Sequence, residues 1–356
     1  MPSYFFDRGQ CAQNASLRGQ YDFLQAQRAF QRNSESAWAS IPMPGMACNA
    51  AAPVPYPVYA QMDTQTKRVM AEPGSETLLL DLMPLALPLG FGTMVHQYKQ
   101  IGDGGAVTTS MSGLEPVPND QTEHNYDSAL VPVHQSGYYR EAREMAGLTE
   151  AGWSTLLDDQ EASTRTVRKR MSDYLLDGAV DKNGRPLRFK GVESYGVRTS
   201  KHTVKVALSV DLTSLQTAPD TVRNQFIALR DRLRVDNRVD GDVTVYVSNE
   251  IEATLDRYYV MEGVITATRS LRQELESLAG IGAIKPLSKL KGNQLLMGAV
   301  RREYIRPLLG QAVSNLALPR NQPFARHQFM VWSAMGLEMQ VDIDGRSGWL
   351  YAASEE

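Results

Sequence analysis

The longest regular pattern of apolar positions predicts a helix over about residues 149–177. Trp153, Leu156, Leu157, Thr164, Val167, Met171, Tyr174 and Leu175 recur every three to four residues. That spacing makes one stripe along a helix. Thr149 is placed to cap its start, Glu150 suits the positive end of the dipole, and Gly178 is the expected stop. At 1.5 Å per residue the element would span about 43 Å. Shorter helices are predicted at 219–235 (Val222, Phe226, Leu229, Leu233), after Ser248 (Ile251, Leu255, Tyr258, Tyr259) and at 266–278 (Leu271, Leu275, Leu278).

Strand patterns surround these helices. Residues 76–90 read as a short buried segment leading into a strand, and 92–101 alternate as a strand. The turn-rich stretch 102–135 follows, and strand composition returns over 128–140. Together 92–140 predict a long two-stranded excursion with few core residues, which needs something to pack on. Val204, Val206, Leu208 and Val210 mark a strand region, and Val243–Val247 another. From 279 onward the pattern predicts short strands and turns. The closing strands are Phe329–Ala334, Glu338–Ile343 and Gly348–Tyr351. The fold class is α+β, and no repeat of 20–50 residues recurs.

The first 74 residues differ from the rest: six Lys/Arg and five Asp/Glu, with Pro42, Pro44, Pro53, Pro55 and Pro57 close together. Helix is predicted only near 15–38 (Leu17, Tyr21, Leu24), and the proline-rich part favours extended chain. Trp38, Tyr56 and Tyr59 make it more aromatic than an ordinary solvating tail, so it reads as an arm ordered by lying on another surface, with a loose solubilising leader as the alternative.

Composition narrows the function. The 356 residues exceed a single efficient core and predict two domains, or one with extensions. A net charge of −3 argues against a strongly basic, sequence-independent DNA binder and against a polybasic membrane-surface protein. The two cysteines, Cys11 and Cys48, form no CxxC, so neither a zinc ribbon nor a disulfide scaffold is expected. The N-terminal residues show no basic stretch followed by an apolar one. Leu78 to Phe91 is broken by Asp81, Pro84 and Pro88, so neither a secretory leader nor a membrane span is expected.

Candidate chemistry is sparse. Ser110-Met111-Ser112-Gly113 lacks the first glycine of a nucleophile elbow, and no phosphate loop occurs. Gly280-Ile281-Gly282 reads as a helix stop. His96, His124 and His134 share the excursion and could meet around a metal, although solvated histidines are the ordinary reading. Asp236–Asp242 resembles a calcium loop, but Arg238 takes a ligand position and the distal Glu is missing. Asp342-Ile343-Asp344-Gly345 reads as a hairpin turn. Arg165, Arg168, Lys169 and Arg170 could touch phosphate but suit a solvated helix face, and Lys99 reads as a surface lysine. No catalytic, cofactor-binding or metal-ligating residue is assigned, no cofactor is expected, and the chain does not read as an enzyme.

The order of elements carries more. Proline-rich arm, polar hairpin, long helix, α+β body and terminal strands follow one another. Tyr246-Val247-Ser248-Asn249-Glu250-Ile251, Lys291–Gly298 and Trp332–Glu338 followed by Asp342–Gly348 supply its strand–turn motifs. Over about residues 60–353 this resembles the major capsid proteins of tailed double-stranded DNA bacteriophages, with the Hong Kong 97-type fold shared with encapsulins. The resemblance implies an N-terminal arm at 1–75 and a lead-in segment with the E-loop hairpin at 76–148. It places the spine helix and peripheral-domain strands at 149–215, an axial domain at 216–314 and C-terminal peripheral-domain strands at 315–356. It implies self-assembly as pentamers and hexamers into an icosahedral head, built in the host bacterial cytoplasm and enclosing double-stranded DNA held by non-specific contact. Portal and scaffolding proteins, and in some heads a decoration protein, would be partners; no membrane is involved. The sequence shows no long charged, coiled-coil-like N-terminal segment, so scaffolding would come from a separate protein or the chain would already be processed, and Met1 favours the first. The alternative is an encapsulin-like compartment shell.

Overall fold

The computed structural model describes residues 72–102, 121–145, 155–181, 183–259, 269–322 and 324–354, with 107, 109 and 111 between the first two stretches. The expected arm, the cap at Thr149, Trp153 and most of the Ser110–Gly113 stretch lie outside them.

Two sheets organise the body. The five-stranded sheet runs β11 (Ile281–Pro286), β8 (Val243–Val247), β12 (Gln294–Gly298), β15 (Trp349–Ala353), β7 (Val204–Ala207). Alternation sends its side chains to two cores. Val243, Val245, Val247, Leu295, Met297, Leu350 and Ala352 pack with helices α3 (Pro219–Asp231), α4 (Asn249–Leu255) and α5 (Leu271–Glu276). Tyr246, Leu296 and Trp349 face the other core, shared with α1 (Thr77–Leu82) and α2 (Thr155–Asp177). Burial on both faces explains the unbroken apolar run Leu295-Leu296-Met297.

The four-stranded sheet runs β1 (Leu87–Pro88), β13 (Ile305–Leu318), β14 (His327–Met339), β4 (Val133–Arg140). Its inner face lies on α2, whose buried Val167, Met171, Tyr174 and Leu175 follow helical spacing. Helix α2 ends at Gly178, which takes φ +80° and donates to Tyr174 O at 2.7 Å. Helix α1 is tied to both neighbours. Glu76 before it pairs with Arg168, and Asp81 accepts from Tyr246 Oη (2.8 Å) and Lys285 Nζ (2.6 Å).

Ser248 caps α4 as the sequence predicts, accepting from Ile251 N and donating to Gly292 O at 2.7 Å. Other expectations change. Tyr258 and Tyr259 do not extend α4 but form β9 (Tyr258–Tyr259), paired with β10 (Arg269–Ser270). The helix expected over 266–278 is α5, six residues under a Ser270–Gln273 capping box. Leu157 is exposed and leaves the α2 stripe. The closing strand Phe329–Ala334 runs on through Glu338 and Met339 as one element, β14, 13 residues long against the 14 of β13, and the rest of the expected Glu338–Ile343 strand is only a bridge from Val341 to Ser347. Gly336 reads as a break in the sequence, yet it lies within the strand: a Cβ there would overlap Leu130 O where the chain crosses closely. β15 completes the five-stranded sheet, while β13 belongs to the four-stranded one.

The excursion over 92–140 divides in two. β2 (Val95–Ile101) and β3 (His124–Leu130) form a separate antiparallel hairpin, while β4 leaves it to pair with β14.

Candidate assembly surface

The β2–β3 hairpin pairs along its backbone only with itself, and its two faces differ. Paired residues share a face. Gln97, Lys99, Ile101, His124 and Tyr126 face outward and are exposed. Tyr98, Gln100 and Asp127 face the chain's own body. Tyr98 Oη donates to Met339 O at 2.9 Å, and burial, with Tyr195 beside it, pushes its phenol far above the ordinary range. Burial likewise pushes Tyr195 up to about 12. Asp127 meets His202 Nε2 at 2.7 Å and Lys201 Nζ at 3.2 Å. Burial alone would raise its carboxyl, but His202, the Ser128 N–H and Lys201 together hold it well below the usual carboxylate range. At the hairpin's base His96 Nε2 lies 3.4 Å from Glu338, a fully buried carboxylate that also accepts from Arg306 (2.5 Å) and Gln340 (2.7 Å). The expected marginal hairpin is thus seated on its own chain, by these polar side chains and by Ala129 and Leu130, which are buried at its base beside Leu308 and Ala334.

The outer face of the four-stranded sheet is the second feature. Val133 and Tyr139 are exposed there, beside half-buried Leu316, Leu318 and Met330. Arg326 stacks over Tyr139 at 4.6 Å near exposed Phe324.

The three histidines that the sequence groups in one excursion do not converge. His96 pairs with Ala129 near the hairpin base, and His124 with Ile101 at its far end. His134 sits on β4 against α2, its ring 4.9 Å from Tyr174. Among the described residues no group of three His, Cys, Asp or Glu is placed to hold a metal. Arg168 is committed to Glu76, and Lys99 is exposed opposite Tyr126. Arg238 sits at φ 53° in a turn where Asn237 N donates to Arg232 O. Gly280 turns the chain at φ +91° between α5 and β11, and Gly345 closes the 342–346 turn. Among the described residues, no helix is long and apolar enough to cross a membrane.

His134 has a consequence for stability. Burial, reinforced by the Arg170 charge, pushes it down to about 4 from 6.5, against a hydrogen bond with the Met335 backbone. The native chain then binds fewer protons than the unfolded chain between these values. Stability is complete above about pH 6.5 and falls as pH drops towards 4, by up to about 3 kcal/mol. His327, lowered by burial and Arg320, adds in the same direction. Urea midpoints from pH 7 to 4 should fall steeply for the native chain and less for His134→Phe; equal slopes would exclude His134 as a source.

Among curated proteins, none is similar to this chain in sequence. Solved structures are similar in fold. The capsid of Myoviridae phage XM1 superimposes at TM-score 0.64 with 10% identity, over 83% of this chain and 97% of that one. A structure of Mycobacterium phage Ogopogo matches at 0.54 with 11% identity, over 83% and 98%. The capsid of an empty GTA particle matches at 0.51 with 13% identity, over 83% and 94%. The fold is the α+β Hong Kong 97-type capsid fold. The sequence also matches a family model described as a family of unknown function, DUF6260, across residues 49–352, and the chain belongs to that family.

Proposed function

We propose that this chain is a major capsid protein. It would assemble as pentamers and hexamers into an icosahedral head that encloses double-stranded DNA, as a structural and not an enzymatic component. The observation that carries the reading is the fold's likeness to the XM1 capsid over nearly the whole length of both chains. The exposed apolar side chains on the hairpin, on the outer sheet face and at Phe324 support it, since such groups suit contact with other copies. In this reading the four-stranded sheet and α2 form the peripheral domain, and the five-stranded sheet with α3 to α5 the axial one. Scaffolding, portal and decoration proteins would be separate partners, and the packaged duplex would be held without sequence readout. Assembly would take place in the host bacterial cytoplasm.

The arm supplies a test. Deleting residues 1–60 is expected to leave a folded subunit with native circular dichroism that no longer forms particles by sedimentation. Particles of normal size from the truncated chain would remove the arm from assembly.

A further inference from the structure

We propose that Asn183–Gly184 is a self-modifying site, where the chain loses ammonia through a cyclic imide and gains a carboxylate as it ages. The inference rests on this chain's own residues and is independent of the shell reading.

Of the chain's asparagines, Asn183 alone is followed by glycine. The reaction needs the following backbone nitrogen to reach the asparagine side chain, and a glycine there leaves the approach clear and the backbone free to turn. Both residues are exposed. Gly184 takes φ +75°, and a Cβ on it would meet nothing within 4 Å, so the turn projects into open space. Among the described residues no hydrogen bond holds the Asn183 side-chain amide. Its backbone N–H is engaged instead, donating to Asp181 Oδ1 at 2.8 Å. Other asparagine amides are held. Asn237 donates to Arg232 O, Asn293 to Val210 O and Asn315 to Tyr138 Oη, each at 2.9 Å. Asn224 is exposed but lies within α3, where the following N–H is committed to the helix.

One contact opposes the reaction. The Gly184 N–H donates to Asp181 O at 3.1 Å and must let go before its nitrogen can attack. An exposed turn bond contributes little net stability. The turn is closed by one isolated bridge, from Val180 to Pro186, and such a segment opens locally at low free-energy cost.

In the opened turn the Gly184 nitrogen gives its proton to a base in solvent and attacks Asn183 Cγ. The new nitrogen–Cγ bond forms, the Cγ–Nδ2 bond breaks, and the side-chain nitrogen takes up a proton and leaves as ammonia. Water then opens the imide. Breaking the new bond gives aspartate at 183; breaking the bond to the backbone carbonyl gives isoaspartate, with the main chain rerouted through the side chain. No oxidant or cofactor enters. Either product places a carboxylate beside Asp181, whose Oδ1 already accepts from the N–H groups of Asn183 and Arg185, and the like charges repel. Isoaspartate also lengthens the main chain by a methylene, so the bond from Asp181 N to Arg185 O at 2.7 Å loses its spacing. The turn that follows α2 therefore loosens with age.

The full chain, incubated at neutral and mildly alkaline pH and sampled over weeks, tests this by ion-exchange chromatography, peptide mapping and isoaspartyl methyltransferase labelling. An acidic form is expected to accumulate, faster at the higher pH, and to map to Asn183. It should form roughly two- to tenfold more slowly than in a free peptide of residues 179–187, the factor that one exposed hydrogen bond supplies. Asn183→Gln, whose longer side chain closes the ring far more slowly, should abolish that form and leave the fold intact. Hydrogen exchange over 179–187 should rise in the aged native chain and stay level in aged Asn183→Gln. Conversion slower than that range, or an acidic form that persists in Asn183→Gln, would overturn the proposal. Unchanged exchange in the converted chain would overturn the loosening of the turn.

Discussion

Trp349→Ala is expected to cost about 3–5 kcal/mol of stability, through lost burial and the cavity left behind. Trp349 is fully buried and stacks on Tyr246 at 6.2 Å and 12°, in the core where the five-stranded sheet meets α1 and α2. It lies opposite Gly298 in the β12–β15 ladder, where any Cβ would overlap the indole. Glycine at 298 and tryptophan at 349 therefore occupy one space between them. Gly298→Ala alone should cost about 1–3 kcal/mol by overpacking. Combined with Trp349→Phe, which frees room, the pair should cost clearly less than the sum of the two single changes. Urea denaturation of the unassembled chain measures all four forms. Strict additivity would mean that the two side chains do not share the space.

Arg306→Met is expected to cost about 3–5 kcal/mol, because it leaves the fully buried Glu338 without its cationic partner. Gln340 and His96 remain within reach, but neither supplies the fixed charge of a guanidinium. The compensating double variant, Arg306→Met with Glu338→Leu, removes both charges together. It should recover most of the loss, since replacing a buried pair with apolar groups is often neutral. The double variant would also lose the His96 contact, so it should be stable yet carry a less firmly seated hairpin. A single variant as stable as the native chain would show that Glu338 is satisfied without Arg306.

Much of this architecture is legible along the sequence because local periodicity encodes it. Val167, Met171, Tyr174 and Leu175 announce α2, and Ser248 announces α4, through residues only a few positions apart. The order of such elements was enough to suggest the fold. What periodicity cannot encode is pairing between distant segments. Nothing local in Val133–Arg140 says that it abandons the hairpin to pair with His327–Ala334. The length of β14 is masked because Gly336 resembles a break, while the close approach of Leu130 O is what requires it. The polar contacts that seat the hairpin are hidden for the same reason. Tyr98 and its acceptor Met339 are 241 positions apart, and Asp127 and His202 are 75 apart. Each reads as an ordinary surface residue until the fold brings them together. The metal-site possibility failed in the opposite way: proximity in sequence placed three histidines in one excursion, and the strand register then separated them.

Negative-stain electron microscopy of the full chain, expressed alone and with candidate scaffolding proteins from the same genome, tests the central claim most directly. Nucleic acid protected from nuclease is assayed on the same fractions. The account predicts closed polyhedral particles or pentameric and hexameric rings, with duplex DNA inside when packaging is provided. A uniform 39.5 kDa monomer under every co-expression condition would contradict it.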